Sequence, residues 1–287
     1  MNAPAPNAML GRQQGRFELA FHMIGGRTRI GRQYVAYPFH LTRPFALDSE
    51  IPALITLYQQ SSSGGLYRAD RLESRLALSE GAAVHVTSQA ATVVHDCRGE
   101  RAEQRLDASL EAAAFLAWTP DPLVLFPGAA LSSRIELRLQ PSAVALASDA
   151  FALHDPSGCG RSFEAYCSDF AAIDAASGRT LARDRFEIRG ADLERRGSLT
   201  GSPMGFWRLA ASHFLLGPAE RLPPRDKITT ALDMPGLVAG LSALPNGAGF
   251  GIRVLAMSAV DERRLAERLF SLAVAATFGA TPVPRRK

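Results

Sequence analysis

The chain has 287 residues, of which 47% are hydrophobic and 21% charged, so it can build a substantial core and lies far from disordered compositions. Its net charge of +4 comes from 32 basic and 28 acidic residues, and all but Lys227 and Lys287 of the basic ones are arginine. No apolar run is long enough to span a membrane, and the arginines alternate with acids rather than forming the dense basic block of a nucleic-acid binder.

Residues up to about Gln14 read as a loose tail rich in Pro, Asn and Gly, without the basic start and apolar stretch of a secretory signal. No linker divides the remainder of the chain, so a flexible tail over 1–14 and a single β-rich domain over 15–287 are expected. Phe17, Leu19 and Phe21 alternate with polar neighbours, and so do Leu72, Leu76 and Leu78 in RLESRLALS. Val84, Val86, Ser88 and Ala90 form one face of a further strand, with His85, Thr87, Gln89 and Ala91 on the other. Ile135, Leu137 and Leu139 repeat the period-two pattern, as do Phe250, Ile252 and Val254. Turn residues separate these runs at 64–65, 81, 120–122, 127–128 and 245–249.

Helical signals are few. Residues 205–216 fit a weak helix with Phe206, Leu209 and Phe214 inward, or alternatively a strand. From Asp261 onward Leu265, Leu269, Leu272 and Ala276 fall at helical spacing, with acidic residues at the start and Gly279 as a stop. The expected fold is therefore mainly β: wrapped or stacked antiparallel β-sheets, β-helix-like, with about two helices, one near the C-terminus. No repeat of fixed period is visible.

Common catalytic signatures are missing. There is no glycine-rich loop ending in lysine to cradle phosphates, no Gly-x-Ser-x-Gly elbow and no His-Glu-x-x-His helix. Cys97, Cys159 and Cys167 lack the spacing of a disulfide scaffold, so a reducing, cytoplasmic setting is expected. His95, Asp96 and Cys97 form a local trio capable of holding nickel or zinc, and His154, Asp155, Cys159 and Cys167 form a looser group. Neither has tight CxxC or HxH spacing. Both fit packed bystanders or a weak, transient site on a protein that passes a metal along.

Three stretches resemble the UreD family of urease accessory proteins. SSSGGLYRADRLE, 61–73, resembles the family's glycine-rich turn followed by Asp-x-Leu and a strand. HVTSQAATVVHD, 85–96, is close to its Thr-Thr-Gln-Ala-Ala-Thr-Lys-Val-Tyr signature, with Val93-Val94-His95 in place of the last three residues. LAWTPDPLVLFPGA, 116–129, resembles its Leu-Glu-Trp-Leu-Pro-x-Pro segment ending in Phe-x-Gly-Ala. The likeness is good over 17–140 and looser beyond.

The resemblance implies a mainly β scaffold that binds a helical partner, UreF, recruits the GTPase UreG and docks on apo-urease subunits to deliver nickel. No tightly bound cofactor is implied, only transient Ni2+ along a polar path. Under that reading Asp70, Thr87, Ser88, Gln89, His95 and Cys97 are candidate stations for the metal. Their plainer roles are turn capping for Asp70 and backbone satisfaction for Thr87 and Gln89. Arg161, Arg264 and Arg268 are candidate partner contacts, or ordinary solvated arginines. The alternative is a β-sandwich enzyme acting on a carbohydrate or small acid, with Asp70 and Glu73, or Asp149 and Asp155, as its carboxylate pair.

Overall fold

The computed structural model describes residues 12–193, 204 and 207–285. The expected tail up to residue 11 and the helix start at Gly205 and Phe206 lie outside the described residues.

An antiparallel pair opens the chain, β1 (Gln14–Ile24) and β2 (Arg27–Val35), followed by a short β3 (Phe39–Leu41). The chain then winds back and forth between two sheets. Its strands are β4 (Leu54–Ser61), β5 (Arg71–Leu78), β6 (Ala83–Ser88), β7 (Val93–Val94), β8 (Ala102–Leu110), β9 (Phe115–Trp118), β10 (Leu123–Leu125), β11 (Ala130–Leu139), β12 (Val144–Leu153) and β13 (Ala165–Asp174). Then come β14 (Thr180–Arg189), α1 (Gly190–Leu193), β15 (Leu209–Leu216), α2 (Arg225–Leu232), β16 (Leu237–Ala243), β17 (Gly249–Ala256) and α3 (Ala259–Phe278).

Sheet A runs β14-β13-β11-β8-β5-β1-β2, and sheet B runs β16-β17-β15-β12-β9-β6-β4-β3 with β10 beside β12 and β7 beside β10. The stacked β architecture matches the expectation, but the pairing corrects it. Successive coils pair in parallel along the middle of both sheets, β1-β5-β8-β11-β13 and β4-β6-β9-β12. Only the ends, such as β1–β2, β13–β14 and β12–β15, are antiparallel. Alternation fixes which side chains face inward but not strand direction, which the crossovers decide. Sheet A strands begin at Arg71, Ala102, Ala130 and Ala165, so the coils differ in length and leave no fixed period to detect.

The two sheets read differently in sequence for a physical reason. The outer face of sheet A is open and carries charged pairs such as Arg75–Glu18 and Arg134–Glu136, which gives clean alternation. Sheet B is covered on its outer face by α2 and α3, so β6, β9, β12 and β15 are buried on both faces. That double burial makes 209–216 a strand and not a helix: its apolar residues are continuous because both faces need them. Between the sheets Phe170 of sheet A stacks flat on Phe214 of sheet B, centroids 3.6 Å apart, in a core that includes Phe17, Leu57, Val86 and Trp118.

α3 forms where expected, beginning slightly earlier. Ser258 caps it by accepting from the Asp261 N–H, and Gly279 ends it in the left-handed region at φ 74°. α2, started by Pro224, had no sequence expectation. α3 presents Glu262, buried, to His213 on β15 with 3.6 Å between Oε1 and Nε2, while His213 Nδ1 meets Ser148 Oγ at 2.8 Å. Burial pushes His213 down to about 4, so its imidazole is neutral at pH 7. Beyond α3 the chain is strapped down by Arg285, whose guanidinium grips both oxygens of buried Asp48 at 3.1 and 2.6 Å and lies over Phe270. The Val283 N–H donates to the same carboxylate at 2.8 Å.

Two outcomes test this packing. Asp48→Ala strands the Arg285 charge in a buried site and is expected to cost about 3 kcal/mol in chemical denaturation, while Asp48→Leu with Arg285→Met recovers most of it. Unchanged stability in Asp48→Ala would contradict the strap. His213 takes up its proton near 4 when folded but near 6.5 when unfolded. The unfolded chain therefore binds more protons in that window, and stability falls by about 3 kcal/mol as pH drops through it. His213→Gln is expected to flatten that part of the stability–pH curve, and an unchanged slope would rule the assignment out.

Candidate functional site

Parallel, in-register coils place equivalent residues of successive strands at one level, so a polar residue repeated on the inward face becomes a layer. In sheet A one such rung runs Leu72–Gln104–Ser133–Ser168. In sheet B, two residues beyond the apolar rung Leu57–Val86–Trp118–Ala147, the inward positions are Gln59, Ser88 and Asp149, with Ser212 and Arg253 continuing the row. The polar layer lies between two apolar clusters, one around Phe17, Val86 and Phe214 and one around Leu131, Phe151 and Phe163.

At the layer's centre is Asp149, buried in a strand whose neighbours are almost all apolar. Three hydroxyls donate to it: Tyr166 at 2.6 Å and Ser133 at 3.1 Å to Oδ1, and Ser168 at 2.5 Å to Oδ2. Gln104 donates in turn to Ser133 Oγ at 3.1 Å, and Gln59 to Ser74 Oγ at 2.9 Å. Burial, reinforced by the Asp149 carboxylate, pushes the Tyr166 phenol well above its ordinary range, so it stays a donor. One side of the layer is closed by Arg253, which pairs with Asp184 across the sheets at 2.5 Å and lies over Phe186.

Beside Asp149 the layer opens into a cavity of about 430 Å3 lined from both sheets. Ser88, Gln89 and Asp121 line it, together with the loop at 61–65. The Asp121 N–H donates to Ser88 Oγ at 2.8 Å, and the Gln60 amide donates to the Gln89 side chain. Gly65 sits against Val93 at φ 133°, where a Cβ would lie 2.3 Å from the Val93 carbonyl oxygen, so only glycine lets the two loops approach this closely.

The structure distributes the sequence candidates unevenly. Ser88 and Gln89 both line the cavity. Thr87 points the opposite way, under α3, where its hydroxyl donates to the Thr119 carbonyl at 2.7 Å. Asp70 is buried and caps a turn, accepting from the Tyr67 and Gln13 N–H groups at 2.8 and 3.0 Å. His95 stacks flat on Tyr67 at 4.4 Å and meets the Gly64 carbonyl at 3.0 Å. Cys97 is fully buried, and its Sγ donates to the Ala130 and His95 carbonyls. Burial pushes its thiol up, away from the thiolate that binds metal. Among the described residues no group of three or more His, Cys, Asp or Glu could hold a metal ion.

Arg161 is exposed on a turn whose Asp155 carboxylate accepts its backbone N–H at 3.0 Å. Arg264 and Arg268 are exposed on α3, and the latter reaches the Ala231 carbonyl at 3.5 Å. Neither proposed carboxylate pair shares a cleft. Asp70 is a turn cap while Glu73 pairs with Arg75 on the outer face of sheet A, and Asp149 is interior while Asp155 holds a surface turn.

Sequence reading passed over Gln59, Ser74, Gln104, Ser133, Ser168 and Tyr166. Its own alternation could have found several of them. Ser74 stands on the Leu72–Leu76–Leu78 face, Ser133 on the Ile135–Leu137 face and Ser168 on the Tyr166–Phe170 face, each a polar residue where a core residue is due.

A family model described as UreD urease accessory protein matches residues 13–287. "Urease accessory protein UreD 1" of Bradyrhizobium sp. (strain BTAi1 / ATCC BAA-1182) is 43% identical over 269 residues, covering 94% of this chain and 93% of that protein. "Urease accessory protein UreD 1" of Methylorubrum populi is 40% identical over 290 residues, covering 99% and 96%. The protein of the same printed name from Pseudomonas syringae pv. syringae is 37% identical over 265 residues, covering 91% of each chain.

Proposed function

The chain belongs to the UreD family of urease accessory proteins, and on that premise we propose that it serves urease maturation as a nickel-delivery scaffold acting with UreF and UreG on apo-urease. In this reading the chain is not an enzyme. GTP hydrolysis falls to UreG, in keeping with a sequence that has no phosphate-cradling loop. The setting is the cytoplasm, and no helix among the described residues is long and apolar enough to cross a membrane.

One observation carries the nickel path: a cavity of about 430 Å3 runs into the inter-sheet space, with Asp121 and Asp149 in its wall. The oxygen groups of the polar layer, centred on Asp149, suit a divalent cargo in passage and not a resident metal. Ser88 and Gln89 keep their place as stations on that path. The geometry favours structural duties for Thr87, Asp70 and Cys97, and His95 flanks the 61–65 loop through Gly64. The exposed Arg264 and Arg268 on α3, and Arg161 on its turn, remain available for a partner.

In cells carrying urease and its other accessory genes, removing this chain is expected to leave urease protein at its usual level but without nickel. Asp149→Asn, made folded and at normal abundance, should lower nickel loading about tenfold, equivalent to about 1.4 kcal/mol of lost charge attraction. Fully loaded urease from the deletion strain at ordinary nickel supply would refute the proposal.

A further inference from the structure

The open outer face of sheet A carries its charges in register. One rung reads Arg16, Glu73, Arg105, Arg134, Asp169 and Arg185, contributed by β1, β5, β8, β11, β13 and β14. Carboxylates are in short supply there. Glu18 is shared by Arg32 at 3.7 Å and Arg75 at 3.4 Å, Glu136 by Arg134 at 2.8 Å and Arg138 at 2.6 Å, and Glu187 by Arg101 and Arg189, each at 3.4 Å. Arg16, Arg29 and Arg185 are exposed and have no ion-pair partner among the described residues. The excess gathers toward the two borders. β2 presents Arg27, Arg29 and Arg32 with no acid in the strand, and β14 turns Arg183, Arg185 and Arg189 outward with only Glu187 among them.

Folding alone does not reward this arrangement. Exposed ion pairs contribute little, and Arg105 and Arg134 stand next to each other in register as like charges. The area suits a partner. Seven strands about 4.8 Å apart and about nine residues long cover on the order of 900 Å2, close to what each side gives to a stable interface. A shallow groove of about 460 Å3 runs over Ala20, Ala77 and Ser109, walled by Arg32, Arg75 and Arg138 with Glu18, Asp107 and Glu136 interleaved. The charge pattern selects a protein and not a polyphosphate. Asp107 and Glu136 lie side by side in the middle of the face, where an unbroken row of phosphates would be repelled. A protein surface carries separate carboxylates, which can settle on Arg16, Arg29 and Arg185 and leave the central acids to their existing partners. Arginine suits that task, since its planar fork takes a carboxylate bidentately.

Resting on the reading of the chain as one member of a maturation assembly, we infer that the outer face of sheet A is a docking surface for a protein partner whose own face is acidic. It lies on the opposite side of the molecule from Arg264 and Arg268, because α3 covers sheet B. The two sides therefore serve different partners at once, and the chain is held between them.

The test offers the full chain purified apo-urease, UreF and UreG singly, with a duplex DNA as the polyphosphate probe. Arg16→Glu with Arg185→Glu reverses two exposed charges that have no carboxylate to strand, so thermal unfolding should not move. That variant is expected to bind one of the three proteins about a hundredfold more weakly at low salt, with the gap narrowing at about 0.5 M as the charges are screened. Arg16→Lys with Arg185→Lys should bind the same protein within about threefold of the parent, and Arg264→Glu with Arg268→Glu on the opposite side should leave its binding unchanged. Equal binding of all three proteins by the parent and the Arg16 and Arg185 reversal, or an equal loss from the α3 reversal, would overturn the docking face while leaving the assembly. A duplex that is bound by the parent and lost by the reversal, with every protein retained, would overturn it in favour of a polyphosphate. A parent that binds none of the three proteins would overturn the assembly reading and the inference with it.

Discussion

Asp149 imposes the condition that the rest of the interior meets. A carboxylate in the middle of a buried strand costs several kcal/mol unless donors are brought to it. Tyr166, Ser133 and Ser168 supply them from two adjacent strands of the facing sheet. Parallel register makes this possible, because β11 and β13 pair Ser133 with Ser168 at one level. Gln104, in register with Ser133 on the next strand, extends the network outward. A half-satisfied layer would be worse than an apolar core, and this one is connected around its charge. Its neighbours above and below are apolar, so the fold keeps a polar floor between two hydrophobic storeys. That floor opens on one side, at Ser88, Gln89 and Asp121.

The two sheets divide the remaining work. Sheet A shows an open outer face of arginine–carboxylate pairs, each worth little in stability at such exposure. Sheet B is sealed by α2 and α3, and its covered face has a second set of polar groups, His85, Thr87, Ser148 and His213, met by Thr119 and Glu262. The Asp48–Arg285 strap holds the end of the chain across this seal. α3 is thus fixed at both ends, by the Ser258 cap and by the strap.

Much of this was legible in the amino-acid sequence, and the reasons for the rest are local. Strands at 17–21, 72–78 and 135–139 show because one face of sheet A meets water and alternation survives. The strand at 209–216 looked helical because α3 and the core bury both of its faces. Parallel pairing did not show, since alternation is the same in either direction. The candidate site divides along the same line. Ser88 and Gln89 of one motif both line the cavity, although alternation puts Gln89 on the face of Thr87, because the strand ends at Ser88, while Thr87 faces α3. Asp149 was in view only as half of a carboxylate pair, because its donors lie 16 to 19 residues away on another sheet. Asp70 reads in sequence as a cap or a metal station, and in the fold its two oxygens accept from the Tyr67 and Gln13 N–H groups.

The central claim is that the polar layer is kept for cargo and not for stability. It is tested most directly by replacing both members of the Gln59–Ser74 hydrogen bond in the cavity wall with leucine and measuring, on the same variant, the free energy of unfolding and the nickel content of urease matured with it. Removing both partners together should leave the fold about as stable, while urease emerges with little metal. A variant equally stable that still loads urease fully would show that the layer carries nothing, and the account would fail.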